Sequence, residues 1–214
     1  MNLPGYKYNP PGIIKFLFND FTWNTSNDKI LLTFDDGPNP ETTENILKKL
    51  SDHKIKAAFF CIGKNINQNP ELAQQIKDEE HLICNHSFNH LMLTKVSDAE
   101  IGNEIRLFNE TLESTLGIKT KYFRPPYGRL NFRVKNKLKS LGLKTIMWSL
   151  ITYDFENDFN IVNRSVDKYL RRNSIVVLHD NNKSKDIIED SIDYIAAKVN
   201  ENDFRFGEPL ECLK

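Results

Sequence analysis

Short apolar runs alternate with amphipathic segments along most of this 214-residue chain. The runs have the length and composition of buried strands, and they span residues 30–34, 56–62, 81–84, 121–123, 144–150 and 174–178. The segments between them have apolar residues at helical spacing and span residues 40–53, 70–80, 98–116, 131–141, 160–172 and 185–199. Such alternation predicts parallel strands with helices outside them. The chain length fits one domain, so we expect a single-domain α/β fold.

Charge and apolar content restrict the partners of such a domain. The chain has 29 basic and 29 acidic residues, so its composition gives no support for binding nucleic acid or an anionic membrane. The apolar run at residues 13–18 is far shorter than the ~20 residues of a membrane span, and no small-residue cleavage site follows it. A cytoplasmic location is therefore expected for the chain as given. An exported or cell-envelope location stays open for a protein that has lost its leader.

Residues 1–28 differ in character from the rest of the chain. They contain Pro4-Gly5 and Pro10-Pro11-Gly12, followed by a mixed aromatic segment, and we predict an irregular N-terminal arm packed on a domain of residues 29–214. The three cysteines are too few and too scattered for a disulfide framework or a cysteine-based zinc site. The sequence leaves the oligomeric state open.

Polar residues with catalytic potential follow at least five of the apolar runs. They are Asp35 and Asp36, His86 and His90, Arg124, Asp154, and His179. In a β/α barrel the carboxyl ends of the strands meet at one face, where active sites lie. We therefore expect these side chains to gather into one site. Two adjacent carboxylates at the end of a buried strand also require a cationic partner.

His86 and His90 stand four residues apart, which places two imidazoles on one side of a helical turn or compact loop. An isolated pair with this spacing is more often structural. Asp36 reverses that balance, because two imidazoles and one carboxylate form a three-ligand site with open positions for a catalytic metal. This donor set accepts zinc, cobalt, nickel or iron, and zinc is the divalent ion expected from its common use at such sites.

The other polar residues suggest how a metal could serve hydrolysis. Asp35 is the predicted general base that deprotonates a water bound to the metal, and Arg124 is predicted to pair with it. The backbone N–H of Tyr127 could support a developing oxyanion. His179 is the predicted general acid for an amine leaving group, because Asp154 could orient it and keep it protonated.

Four segments resemble, in order and spacing, the motifs of the polysaccharide deacetylases of carbohydrate esterase family four, the NodB-homology domain. They are Thr33-Phe34-Asp35-Asp36-Gly37-Pro38, His86-Ser87-Phe88-Asn89-His90, Arg124-Pro125-Pro126-Tyr127-Gly128 and Leu178-His179. The resemblance implies a distorted (β/α)7-type barrel. It also implies metal-dependent removal of acetyl groups from N-acetylglucosamine-type sugars in peptidoglycan or chitooligosaccharides. The residue roles that it implies are those given above for the base, the metal ligands, the arginine and the acid.

A further motif departs from the family pattern of an aspartate, two residues, an aspartate and a tryptophan. Asp154 is kept, but Ile151 stands for the first acid and Phe155 for the indole, which alters the predicted substrate groove. Two alternatives keep the fold and the metal: an esterase for O-acetyl groups on xylan or other sugars, and a hydrolase of small cyclic amides. A non-catalytic glycan-binding or metal-binding domain is the alternative of another class. Loss of a base, ligand or acid would favour it, and none is missing.

Overall fold

The computed structural model describes residues 8–214 and contains a seven-stranded sheet whose paired strands all run parallel. The strands are β1 (Leu31–Asp36), β2 (Ala58–Cys61), β3 (Leu82–Asn85), β4 (Tyr122–Phe123), β5 (Lys144–Thr145), β6 (Leu150–Ile151) and β7 (Ile175–His179). Their order across the sheet is β5-β4-β3-β2-β1-β7-β6. The sheet curls into a half-barrel, which confirms the expected distorted (β/α)7-type barrel in a single domain.

The described residues also form nine α-helices. They are α1 (Gly12–Leu17), α2 (Thr43–Asp52), α3 (Gly63–Gln68), α4 (Pro70–Asp78), α5 (Asp98–Leu116), α6 (Phe132–Ser140), α7 (Phe159–Tyr169), α8 (Ile188–Glu201) and α9 (Pro209–Cys212). The short helices α1, α3 and α9 were not expected from the sequence, since none is long enough to show a helical period. Within the described part of the chain, no helix is both long and apolar enough to cross a bilayer.

Strand β1 lies at the centre of the sheet, and both of its faces are buried. Leu32 and Phe34 pack into the cluster formed with the outer helices. Leu31 points to the opposite face and packs with Phe60 and Cys84. A strand covered on both sides needs apolar residues at every position, which explains the unbroken apolar run in the sequence.

The predicted strand at residues 144–150 is wrong as a single element. Its start is β5, which pairs with β4, and its end is β6, which pairs with β7 at the opposite edge of the sheet. The chain between them crosses the gap in the barrel, and there the carbonyls of Ile146 and Met147 accept hydrogen bonds from the Arg124 side chain at 3.1 Å each. The buried Arg124 side chain thus satisfies two backbone carbonyls that would otherwise need the N–H groups of a neighbouring strand.

The N-terminal segment packs beside this crossing. Residues 12–17, which were expected to be irregular, form α1, and Phe18, Phe21 and Trp23 pack with Met147. Thr22 forms a parallel bridge to Ile146. Residues 1–7, including Pro4-Gly5, lie outside the described residues. The boundary between an arm and a catalytic domain at residues 28 and 29 stays a prediction.

Candidate active site

The polar residues that follow the strands border one cavity of about 580 Å³ at the carboxyl edge of the sheet. Its wall includes Asp35, Asp36, His86, His90, Tyr127 and His179. Arg124 and Asp154 are fully buried and contact wall residues from behind. The structure therefore brings together all the site residues named from the sequence, as the convergence of parallel strand ends requires.

Asp36, His86 and His90 form a compact cluster of metal-binding side chains. One ligand atom from each lies within 4.8 Å of the other two. The Nε2 atoms of His86 and His90 lie 3.8 and 3.3 Å from Oδ1 of Asp36. Asp36 stands at the end of β1, and both histidines lie in the loop that follows β3, so the ends of two strands on either side of β2 carry the whole cluster.

The hydrogen bonds around this cluster leave its metal-facing atoms available. Nδ1 of His86 lies 2.8 Å from the carbonyl oxygen of Arg124 and donates to it, so the Nε2 lone pair faces the cluster. The Asn181 side chain donates to Oδ2 of Asp36 at 2.7 Å and leaves Oδ1 toward the imidazoles. Burial and the charge of His86 lower the pKa of His90 to about 4, so this imidazole is neutral at pH 7. Neutral imidazoles and a carboxylate are the protonation states that a metal needs, so the residues present fit a divalent ion.

The pKa of Asp36 also favours the ligand form. Burial acts to raise this pKa, but the charges of His179 and the cluster imidazoles, with the Asn181 hydrogen bond, outweigh it and hold the pKa below its usual value. Asp36 therefore remains ionised over the neutral pH range.

Asp35 is held by a buried arginine. Nη1 of Arg124 donates to Oδ1 of Asp35 at 2.7 Å and to the Thr33 hydroxyl at 2.8 Å. The guanidinium also stacks on the Phe60 ring, with its central carbon 3.9 Å from the ring centroid. Oδ2 of Asp35 faces the cluster, 3.9 Å from Nε2 of His86. One carboxylate oxygen is thus fixed and the other is turned to the cavity, as a general base requires.

His179, at the end of β7, is bound to Asp154. Its Nδ1 donates to Oδ1 of Asp154 at 2.8 Å, and its backbone N–H donates to Oδ2 at 2.6 Å. Burial alone would lower the pKa of His179, but the charge and hydrogen bond of Asp154 raise it to about 9. The imidazole is therefore protonated at neutral pH, with Nε2 left to donate a proton into the cavity.

Comparisons with known proteins decide the family. The sequence profile described as polysaccharide deacetylase matches residues 23–146, more than half of the chain. The chain belongs to the polysaccharide deacetylase family. A peptidoglycan-N-acetylglucosamine deacetylase of Bacillus cereus is 33% identical over 203 residues, which cover 90% of this chain and 92% of that protein. The deacetylase PgdA of Listeria monocytogenes is 34% identical over 197 residues and covers 88% of this chain, which spans only 41% of the length of that relative.

A solved structure shows the same relationship. The crystal structure of the Bc1960 peptidoglycan N-acetylglucosamine deacetylase, in complex with 4-naphthalen-1-yl-N-oxidanyl-benzamide, superposes with a TM-score of 0.85 at 28% identity. The match covers 93% of this chain and 95% of that chain. The resemblance to carbohydrate esterase family four that was drawn from the motifs is therefore confirmed.

Tyr127 lines the cavity and has an unusual backbone conformation. Its φ of 59° and ψ of 5° lie in the left-handed region. Gly128 and Arg129 donate their N–H groups back to Pro125 and Pro126, and among the described residues no acceptor receives the Tyr127 N–H. The Tyr127 ring lies beside His90, with centroids 4.5 Å apart. The N–H is thus available to an oxygen in the cavity.

Left-handed backbone conformations cluster around this site. Five of the nine described non-glycine residues with positive φ belong to its loops, namely Asp36, Ser87, His90, Tyr127 and Tyr153. Such conformations are unfavourable for residues with a Cβ and persist only where the surroundings impose them. The polysaccharide deacetylase site is therefore built from constrained loops.

Ile151 and Phe155, at the departing motif, both line the cavity. The Phe155 ring meets the His179 ring edge to face, with centroids 4.8 Å apart, and lies 5.0 Å from the Tyr153 ring. Trp148 lines the same wall. The cavity therefore keeps an aromatic wall against the predicted acid, while Ile151 presents an apolar side chain in place of a carboxylate.

Sequence reasoning missed several residues that hold this site. Asp180 and Asn181 directly follow the predicted acid His179. This position in the sequence was the only indication that they contribute to the site. Asp180 is buried and accepts hydrogen bonds from the hydroxyls of Thr42 and Thr43. Burial, opposed by these hydrogen bonds, raises the pKa of Asp180 to about 7. Glu104 was also missed, although a glutamate between Ile101 and Ile105 breaks the apolar stripe of α5.

Proposed function

We propose that this polysaccharide deacetylase hydrolyses the N-acetyl groups of N-acetylglucosamine-containing glycans, as in peptidoglycan or chitooligosaccharides. The observation that supports it is the joint presence, around one cavity, of a three-residue metal cluster, an arginine-held carboxylate and an aspartate-held histidine. The relatives named as peptidoglycan and chitooligosaccharide deacetylases support the same substrate class.

Asp36, His86 and His90 are the proposed metal ligands. Two imidazole nitrogens and one carboxylate oxygen form a donor set that zinc uses in hydrolases, and zinc is the ion we propose. When bound, a divalent ion supplies a Lewis acid that polarises the acetyl carbonyl and acidifies water. A ligand imidazole must be neutral, and burial with the charge of His86 lowers the pKa of His90 to about 4, while the Arg124 carbonyl orients the His86 ring.

Asp35 is the proposed general base for the attacking water. Arg124 holds Oδ1 of this carboxylate, so Oδ2 can accept the proton of a water in the cavity. The guanidinium is itself fixed by two backbone carbonyls and the Thr33 hydroxyl, which prevents the base from turning away. Attack on the acetyl carbon develops negative charge on the carbonyl oxygen, and the Tyr127 N–H is the proposed donor to it.

His179 is the proposed general acid. The amine that leaves on cleavage of the amide needs a proton, and protonated His179 donates it from Nε2. Asp154 keeps Nδ1 occupied and holds the positive charge until transfer. The ends of β1 and β7 pair directly, with Asp35 opposite His179 in the register, so the base and the acid enter the cavity from adjacent strands.

Acetate release tests this proposal directly. Chitooligosaccharides, peptidoglycan and acetylated xylan would be incubated with zinc-loaded wild type, chelator-treated protein, Asp35→Asn, and the exposed control Asp52→Asn. Chelation and Asp35→Asn are each expected to reduce acetate release from the N-acetyl glycans by at least ~100-fold, because metal and base act in the same step. The control should match wild type, and circular dichroism should show that every variant is folded.

Each other outcome points elsewhere. Undiminished release by Asp35→Asn would refute the base assignment. Release from acetylated xylan alone would favour the esterase alternative. No release from any of these substrates by zinc-loaded wild type would favour a non-catalytic glycan-binding domain.

A further inference from the structure

Glu104 is a buried carboxylate that the proposed chemistry does not use. It lies on α5, is 3% exposed, and forms no ion pair with any described Lys, Arg or His. Helix α5 begins with a capping box between Ser97 and Glu100 and ends at the left-handed Gly117, so its position is well defined at both ends. A buried carboxylate without a cation is costly unless N–H groups satisfy it.

The hydrogen bonds to Glu104 all come from one short segment. Oε2 accepts from the backbone N–H groups of Phe88 at 3.1 Å and Asn89 at 2.7 Å, and Oε1 accepts from the Asn89 side chain at 2.7 Å. These donors lie between the cluster residues His86 and His90. The carboxylate thus offsets the cost of its burial entirely through the loop that carries the two imidazoles.

Helix α3 holds the same loop from the other side. The N–H groups of Gly63 and Lys64, at the start of α3, donate to the carbonyls of Ser87 and Phe88 at 3.0 Å each. The Phe88 ring packs so closely on Gly63 that a Cβ there would come within 2.6 Å of it. The carbonyls of Ser87 and Phe88 are therefore fixed by α3, and the amides of Phe88 and Asn89 are fixed by Glu104.

This double attachment maintains a conformation that the loop would not favour alone. Ser87 and His90 have φ values of 65° and 57°, and the His90 N–H donates to the Ser87 hydroxyl at 3.0 Å. Left-handed conformations at two residues with side chains cost free energy and persist only where the surroundings impose them. Without the Glu104 acceptors, the amides of Phe88 and Asn89 would be buried without hydrogen-bond partners, so the loop would shift to expose them to water. Because His90 is the next residue in the chain, its imidazole would move with the loop.

We propose that Glu104 is a positioning residue for the metal ligand His90, acting through the N–H groups of Phe88 and Asn89. The proposal rests on the metal site put forward above and not on the identity of the substrate. A carboxylate suits the task because both of its oxygens only accept hydrogen bonds. A glutamine at the same place keeps one accepting oxygen and loses the charge.

Cobalt binding to the metal-free protein tests this assignment without relying on catalysis. The dissociation constant of Co²⁺, from chelator competition, and its visible absorption spectrum would be measured for wild type, Glu104→Leu, Glu104→Gln and Leu112→Ala. Leu112 is a fully buried core residue of the same helix whose side chain makes no hydrogen bond to the loop, so it is the control for lost stability. Melting temperatures of the metal-free proteins complete the set.

Glu104→Leu is expected to weaken Co²⁺ binding by ~10- to 100-fold and to change the spectrum, as loss of a group that orients a metal ligand does. Glu104→Gln should fall between Glu104→Leu and wild type. Leu112→Ala should lower the melting temperature yet keep the wild-type affinity and spectrum. Wild-type affinity and spectrum in a folded Glu104→Leu protein would overturn the proposal, and so would equal weakening by Leu112→Ala.

A second pair of variants decides the matter if Glu104→Leu does not fold. Asn89→Ala removes one hydrogen bond to Glu104 at an exposed residue. Asn89→Ala and Glu104→Gln, measured as separate single variants, should each weaken Co²⁺ binding. Wild-type affinity in both would refute the positioning role. A wild type that binds Co²⁺ but releases no acetate would refute the proposed function and leave the role of Glu104 standing.

Discussion

Asp154→Asn tests the role of His179 as the proposed acid while the proposed base and metal ligands stay unchanged. In the structure the charge and hydrogen bond of Asp154 raise the pKa of His179 to about 9, against burial, from an ordinary value of 6.5. Without that charge we expect a pKa near the ordinary value of 6.5, because the charges of Asp36 and Asp35 still oppose burial. At pH 8 the protonated fraction of His179 then falls from about 0.9 to about 0.03, a ~30-fold loss, whereas at pH 6 it falls less than ~2-fold. A cation bound nearby lowers both pKa values alike, so the pH window moves but the difference between the proteins remains.

The pH dependence of kcat/KM on a chitooligosaccharide measures this effect. For wild type, activity should fall as the pH rises through the pKa of His179, since the acid form is lost above it. The ratio of wild-type to Asp154→Asn activity should grow with pH between 6 and 8 by ~20-fold or more. An activated acetate ester serves as a second substrate, because its leaving group needs no proton and its cleavage should be much less affected.

A matched variant guards against a general effect of removing a carboxylate in this region. Asp158 lies four residues further along, at the half-buried start of α7, and in Asp158→Asn the asparagine can still cap that helix. It should match wild type at every pH. A ratio for Asp154→Asn that does not change with pH, or equal slowing of amide and ester, would refute the reasoning about His179.

Two further predictions concern the stability of the site. Arg124→Met should lower the free energy of unfolding, measured with urea, by ~3–5 kcal/mol, because it leaves the buried Asp35 charge unpaired. The double variant with Asp35→Asn should recover part of that loss, and no recovery would show that the unpaired charge is not the cause. Gly128→Ala should lower the melting temperature and weaken glycan binding, because its Cβ would overlap the Trp148 ring at a residue whose φ is 60°. An Ala variant that melts and binds as wild type does would contradict this close packing.

The sequence predicted the repeated strands and helices well because each is a local pattern. The long apolar stripe of α5 and the unbroken run of β1 are signals that depend on neighbours along the chain alone. The site residues also came from the sequence, since polar groups at strand ends must share one edge of a parallel sheet. Their roles could be assigned from chemistry, but their hydrogen-bond partners could not.

What the sequence could not predict depends on contacts between distant residues. Glu104 contacts the histidine loop 15 and 16 residues before it in the chain, and periodicity describes only which face of its helix is buried. Asp180 lies 137 and 138 residues from the threonines that it binds. In the sequence alone, such residues are only polar interruptions of an apolar pattern. Their role is visible only when the distant groups that donate hydrogen bonds to them are known.

Arg124 shows why the fold and the chemistry of this site cannot be separated. Its side chain donates to the carbonyls of Ile146 and Met147, where the chain crosses between the two edges of the sheet, and to Asp35. A guanidinium can serve these acceptors together because its five N–H donors lie in one plane, whereas a lysine offers a single flexible point charge. The arginine therefore helps to close the barrel with the same rigid group that orients the proposed base. The division of the predicted strand at residues 144–150 and the position of Asp35 thus have a common cause.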